Sequence, residues 1–116
     1  MDYLLDTHLL LWALADSEKL PNKVRQLLLN SKNQFYYSVA SMWEVSIKNE
    51  KKKLGVSGTE FMHYCEQAGY KKLPIDEKHI LALETLEKKE KSPEHNDTFD
   101  RILLSQTKHE PINLLP

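Results

Sequence analysis

At 116 residues, with 41% hydrophobic and 28% charged side chains, the chain has the length of one domain and enough apolar character to bury roughly two-thirds of its unfolded surface without a disulfide or metal staple. A net charge of −1 excludes a global electrostatic argument for a polyanionic partner, so any such partner must be argued from local patches or a bound cation. The single cysteine, Cys65, has no intramolecular partner and lies on the apolar side of a helical pattern, which fits a reducing, cytoplasmic setting.

The opening, MDYLLDTHLLLWALAD, imitates an export signal. It has no basic leading region, and Asp2, Asp6 and His8 break the apolar run, so export is rejected. No apolar stretch is long enough to span a bilayer, and no membrane association is expected. Tyr3-Leu4-Leu5 reads as a strand ending at Asp6-Thr7, and Leu9 to Ala15 reads as a helix apolar on every side. Pro21 suits a first helical position, and Val24, Leu27 and Leu28 give the second helix one apolar face before Asn30-Ser31. Phe35 to Val39 is aromatic and β-branched, hence a strand.

The third helix is expected from about Ala40, with Trp43 and Ile47 on one face, running through a charged extension to Gly55. Thr59 is expected to cap a fourth helix carrying Phe61, Tyr64, Cys65 and Ala68, with Gly69 at its left-handed end. Lys71 to Ile75 reads as a short strand, and Asp76 begins a fifth helix through Ile80, Leu83 and Leu86. A polar run from Glu87 to His95 reads as a mobile loop, the sixth helix carries Phe99, Ile102, Leu103 and Gln106, and Ile112 to Leu115 reads as a last strand. Short strands alternating with helices imply parallel βαβ units, in which ligands bind beyond the carboxyl ends of the strands.

Four carboxylates stand where such a site would form. Asp6 follows three residues expected to be buried, although Asp6 or Thr7 also suits the cap of the first helix. Glu44 lies among apolar residues, where a charge needs a partner; the spacing Ser41 to Glu44 matches a capping box, but Ser38 is the more natural cap. Asp97 and Asp100 open the sixth helix, where both also serve the amides and the helix dipole. Carboxylates gathered at one edge repel one another unless a divalent cation neutralises them, and oxygen-only ligation selects Mg²⁺ or Mn²⁺. His8, His63, His79, His95 and His109 lack zinc spacing and read as surface or capping residues.

Leu4-Leu5-Asp6-Thr7-His8, Ser41 to Lys48 around Trp43-Glu44, and His95 to Arg101 around Asp97-Thr98-Phe99-Asp100 together resemble the PIN-domain family, more narrowly the VapC-type toxins of toxin-antitoxin pairs. Gly69 to Ile75 also matches that family's segment before its fifth helix. The resemblance implies a three-layer α/β/α fold with a central, mainly parallel sheet of four or five short strands. It implies a Mg²⁺- or Mn²⁺-dependent endoribonuclease, an RNA substrate, a VapB-like antitoxin partner and a homodimer. By position, Asp6, Glu44 and Asp100 match the family's metal-holding acids, Asp97 a further acid of the subgroup, Thr7 the supporting hydroxyl and Arg101 the neighbour of the third acid.

Two departures from the family pattern are visible. Thr98 stands where the subgroup has proline, and the sequence reaches Pro116 before the family's segment that donates a fourth acid, which leaves a single PIN domain over 1–116 without that segment. Lys48, Lys51, Lys52 and Lys53, with Arg101 and Lys88-Lys89-Lys91, suit an RNA backbone or simply a solvated surface. A haloacid-dehalogenase phosphatase is set aside because position 8 is histidine rather than a second aspartate. The rival of another class is a non-catalytic PIN-like module that binds RNA or a partner protein.

Overall fold

The structure, a computed structural model, describes residues 1–51, 55–85 and 98–115. In chain order it has β1 (Asp2–Leu5), α1 (Thr7–Leu14), α2 (Asn22–Leu29), β2 (Gln34–Ser38), α3 (Val39–Glu50), α4 (Gly58–Gln67), β3 (Lys71–Leu73), α5 (Glu77–Leu81) with a 3₁₀ turn (Ala82–Thr85), α6 (Thr98–His109) and β4 (Asn113–Leu115). The four strands form one sheet in the order β3-β2-β1-β4. Every pairing is parallel, with Leu4 beside Tyr36, Leu5 beside Leu115 and Ser38 beside Leu73.

The period of two along a strand sends neighbouring side chains to opposite faces, and β1 supplies one residue to each of two cores. Leu5 packs with Leu9, Leu10, Val24, Tyr37, Phe61 and Cys65 on the face covered by α1, α2 and α4. Leu4 packs with Ala40, Leu73, Ile102 and Leu103 on the face covered by α6. The result is the three-layer α/β/α arrangement with a parallel sheet that the resemblance implied. Among the described residues no helix is long and apolar enough to cross a membrane.

Several boundaries differ from the sequence-based expectations, each for a local reason. Val39 leaves the strand and opens α3, because the Ser38 hydroxyl accepts the Ala40 amide proton at 2.9 Å and caps the helix there. Pro21 sits one residue outside α2, as its cap. Ser57, not Thr59, caps α4: its side chain accepts from Glu60 N–H at 3.1 Å while Glu60 returns the bond to Ser57 N–H at 3.0 Å, a full capping box. Gly69 takes the expected left-handed conformation (φ 86°) after α4. α5 gives way to a 3₁₀ turn at Ala82, where the Thr85 hydroxyl donates to the Ala82 carbonyl at 2.9 Å. The expected course through Lys52-Lys53, Leu86 and the run to His95 lies outside the described residues.

Candidate active site

The site begins where β1 ends. Asp6 donates its backbone N–H to the Leu115 carbonyl at 3.2 Å, which fixes it beside the end of β4. Its carboxylate accepts the Leu9 amide proton at 2.9 Å, so Asp6 rather than Thr7 caps α1. Burial pushes the Asp6 carboxyl above its ordinary value and the negative charge of Glu44 pushes the same way, while the Leu9 amide and His8 oppose them.

Glu44 is only 5% exposed. It lies in the second turn of α3, and Lys48 one turn further on donates from Nζ to Glu44 Oε2 at 2.7 Å. A buried carboxylate requires such a countercharge. The capping-box spacing from Ser41 is coincidental, since Ser38 is the cap and the Ser41 hydroxyl instead accepts a bond from Thr7 Oγ1 at 2.8 Å. Thr7 and Ser41 are both buried. The residue after Asp6 is therefore fastened to the helix that carries Glu44.

Asp100 occupies the first turn of α6 and is half-buried. The preceding residue, Phe99, meets Trp43 edge to face at 5.1 Å between ring centres, which joins the start of α6 to the segment bearing Glu44. Arg101 donates from Nη2 to the Leu83 carbonyl at 3.3 Å and holds the 3₁₀ turn against α6; its buried Nε has no hydrogen-bond partner among the described residues.

Of the acids singled out from sequence, Asp6 and Glu44 follow the adjacent strands β1 and β2, and the charge of Glu44 acts on the Asp6 carboxyl as a lesser influence than burial. The structure places Asp100 at the neighbouring helix start without drawing it into a tight triad: no group of three His, Cys, Asp or Glu side chains placed to hold a metal occurs among the described residues. Asp97 and His95 lie outside the described residues. His8 is exposed with its ring 6.0 Å from Trp12, and His79 is a buried cap whose Nδ1 accepts from Asp76 N–H at 2.9 Å. Sequence reading missed Ser41 as the partner of Thr7 and Lys48 as the countercharge of Glu44. The second was legible as an acid and a base four residues apart on one helix.

A parallel four-stranded sheet covered by helices on both faces, with Asp6 at the carboxyl end of β1 and Glu44 buried on the helix that follows β2, defines an α/β protein. The PIN domain family model matches residues 3–115, and the chain belongs to the PIN-domain family. PIN domains are generally nucleases that use divalent metals. Among solved structures the fold is similar to a chain of the crystal structure of VapBC2 from Rickettsia felis bound to a DNA fragment from their promoter, at 16% identity and a TM-score of 0.67, covering 100% of this chain and 86% of that one. No curated protein matches the sequence significantly.

Proposed function

We propose that this chain is a Mg²⁺- or Mn²⁺-dependent endoribonuclease, the toxin of a toxin-antitoxin pair, with Asp6, Glu44 and Asp100 as the metal-holding acids. The observation that carries the reading is the buried Thr7–Ser41 hydrogen bond, which fastens the residue after Asp6 to the helix that buries Glu44; burial chiefly, and the charge of Glu44 to a lesser degree, raise the Asp6 carboxyl there. A donor set of carboxylate oxygens alone fits a hard divalent cation. Bound between them, such a cation would supply a water activated for attack and offset negative charge building on the phosphate. Asp6 and Glu44 hold the site from β1 and α3, and Asp100 adds a carboxylate from α6. Asp97, which precedes that helix, is the further acid of the proposal. Thr7, through Ser41, keeps the first two acids in register, and Arg101 holds the turn packed on α6. Lys48 supplies positive charge beside Glu44, available to a phosphate once another cation takes its place.

RNA rather than DNA as substrate, and a VapB-like antitoxin as partner, follow from the family resemblance, supported by a fold similar to a chain of a VapBC2 complex. The decisive experiment is Mg²⁺-dependent cleavage of a labelled RNA by the wild type and by Asp6→Asn. Cleavage is expected to fall on the order of a thousand-fold with folding intact, and undiminished cleavage by the variant would overturn the assignment.

A second reading, a non-catalytic PIN module that binds RNA or a protein, is favoured by two observations. Glu44 is already neutralised by Lys48, and no three-acid group is assembled among the described residues. Metal titration separates the two, since the non-catalytic module takes up neither Mg²⁺ nor Mn²⁺.

A further inference from the structure

The residues next to the two outer acids are aromatic and touch each other. Trp43 precedes Glu44, Phe99 precedes Asp100, and their rings pack edge to face at 5.1 Å with an interplanar angle of 89°. Phe99 is half-buried and packs against the core on the α6 side of the sheet, but Trp43 is 51% exposed. An edge-to-face contact engages the rim of one ring and a single face of the other, so it fixes the orientation of the indole while occupying at most one of its two faces. A tryptophan that served only to cover Phe99 would not need half of its area in solvent. Its position matters as much as its exposure, because its Cα is about 3.8 Å from that of Glu44. Lys48 lies one turn further along the same helix and is itself part-exposed at the Glu44 carboxylate.

We propose that Trp43 is the stacking platform for an unpaired base of a single-stranded nucleic acid whose backbone lies at the Asp6–Glu44 rim. This inference rests on the proposed nuclease function and adds how the substrate is gripped. A phosphate held at the acids carries its own bases to within a nucleotide of the indole, and every base has a flat face that stacks on an aromatic ring irrespective of sequence. Phe99 acts through Trp43, as a positioning residue that holds the ring in place. The chemistry selects strands with unstacked bases over duplex, because a paired base has no free face to offer.

Fluorescence tests this directly. The chain has two tryptophans, so a Trp12→Phe variant leaves Trp43 as the sole indole. Titration with a short single-stranded RNA in the presence of Mg²⁺, with the emission read before cleavage is detectable, is expected to quench that emission saturably. Trp43→Ala is expected to weaken the dissociation constant about ten-fold, and Trp43→Phe to recover most of the loss, with cooperative thermal unfolding retained in each. If Trp43 only packs on Phe99, Trp43→Ala lowers the melting temperature and leaves RNA affinity unchanged, and the proposal falls. It also falls if the alanine variant loses capture of a partner protein but keeps its RNA affinity. In both cases Asp6-dependent cleavage by the wild type would leave the nuclease reading standing. A wild type that neither binds nor cuts RNA overturns both.

Discussion

Thr7 and Ser41 share a buried hydrogen bond of 2.8 Å that fastens the first residue of α1 to the first turn of α3. It crosses 34 residues of sequence and joins the segment after Asp6 to the segment before Glu44. Removing one hydroxyl leaves the other buried without this partner, which costs about 1–3 kcal/mol, whereas removing both is nearly neutral. Thr7→Val and Ser41→Ala should therefore each destabilise the protein by about 1 kcal/mol or more, and the double variant by less than their sum. Denaturant unfolding of the four proteins closes the cycle. Strictly additive losses would mean that the bond does not tie the two helices.

The Asp6 carboxyl has a folded value above the ordinary 3.8, chiefly through burial. The sign follows from linkage: the native state prefers the protonated form, so this group's stabilising contribution is complete below 3.8 and is lost as pH rises through the folded value. Asp6→Asn keeps the capping acceptor, since asparagine caps as well as aspartate, and removes the charge. In metal-free buffer the variant should melt higher than the wild type at neutral pH, with the advantage vanishing in acid. Added Mn²⁺ should raise the wild-type melting temperature and leave that of the variant unmoved. A variant less stable at neutral pH would mean that the ionised carboxylate is already well accommodated.

Gly58 opens α4 where α4 approaches α3, and a Cβ there would run into the Ser46 hydroxyl, with Ser46 Cβ at 3.3 Å and the Met42 carbonyl at 3.4 Å. Ser46 itself donates to that carbonyl at 3.0 Å, so it cannot turn aside without giving up the bond. Gly58→Ala should cost about 1–3 kcal/mol, and Ser46→Ala in the same chain should recover part of it. Thermal unfolding of the single and double variants checks this, and full tolerance of alanine at position 58 would contradict so close an approach.

What the sequence made legible was whatever depends on near neighbours. Leu4-Leu5 followed by Asp6 gave the buried strand and its polar end, Ser38 at the close of an aromatic run gave the start of α3 to within a residue, and Gly69 gave the end of α4. Ser57 is the better cap by residue type, and its spacing to Glu60 is that of a capping box, so the expectation of Thr59 passed over a signal the chain carried. The fifth helix read as longer than it is because Leu83 continues the apolar spacing, whereas the Leu83 carbonyl is taken up by Arg101 from α6.

The proposed acids were chosen from the sequence alone, which does not show how the segments bearing Asp6 and Glu44 meet. Asp6 and Glu44 stand 38 positions apart in the numbering of the chain, and only the parallel pairing of β1 with β2 puts the ends that precede them side by side. Ser38 rather than Ser41 was rightly preferred as the cap of α3, but the partner Ser41 does have, Thr7, comes from another element and left no local signal.

The central claim, that Asp6 and Glu44 form one divalent-cation site, is tested most directly by calorimetric titration of Mn²⁺ into the wild type, Asp6→Asn and Glu44→Gln, each first shown to unfold cooperatively. The expected result is saturable binding to the wild type, weakened at least about ten-fold in each single variant, because each removes one of the three carboxylates proposed to hold the ion. Equal affinity in all three proteins, or no uptake by the wild type, would contradict the account.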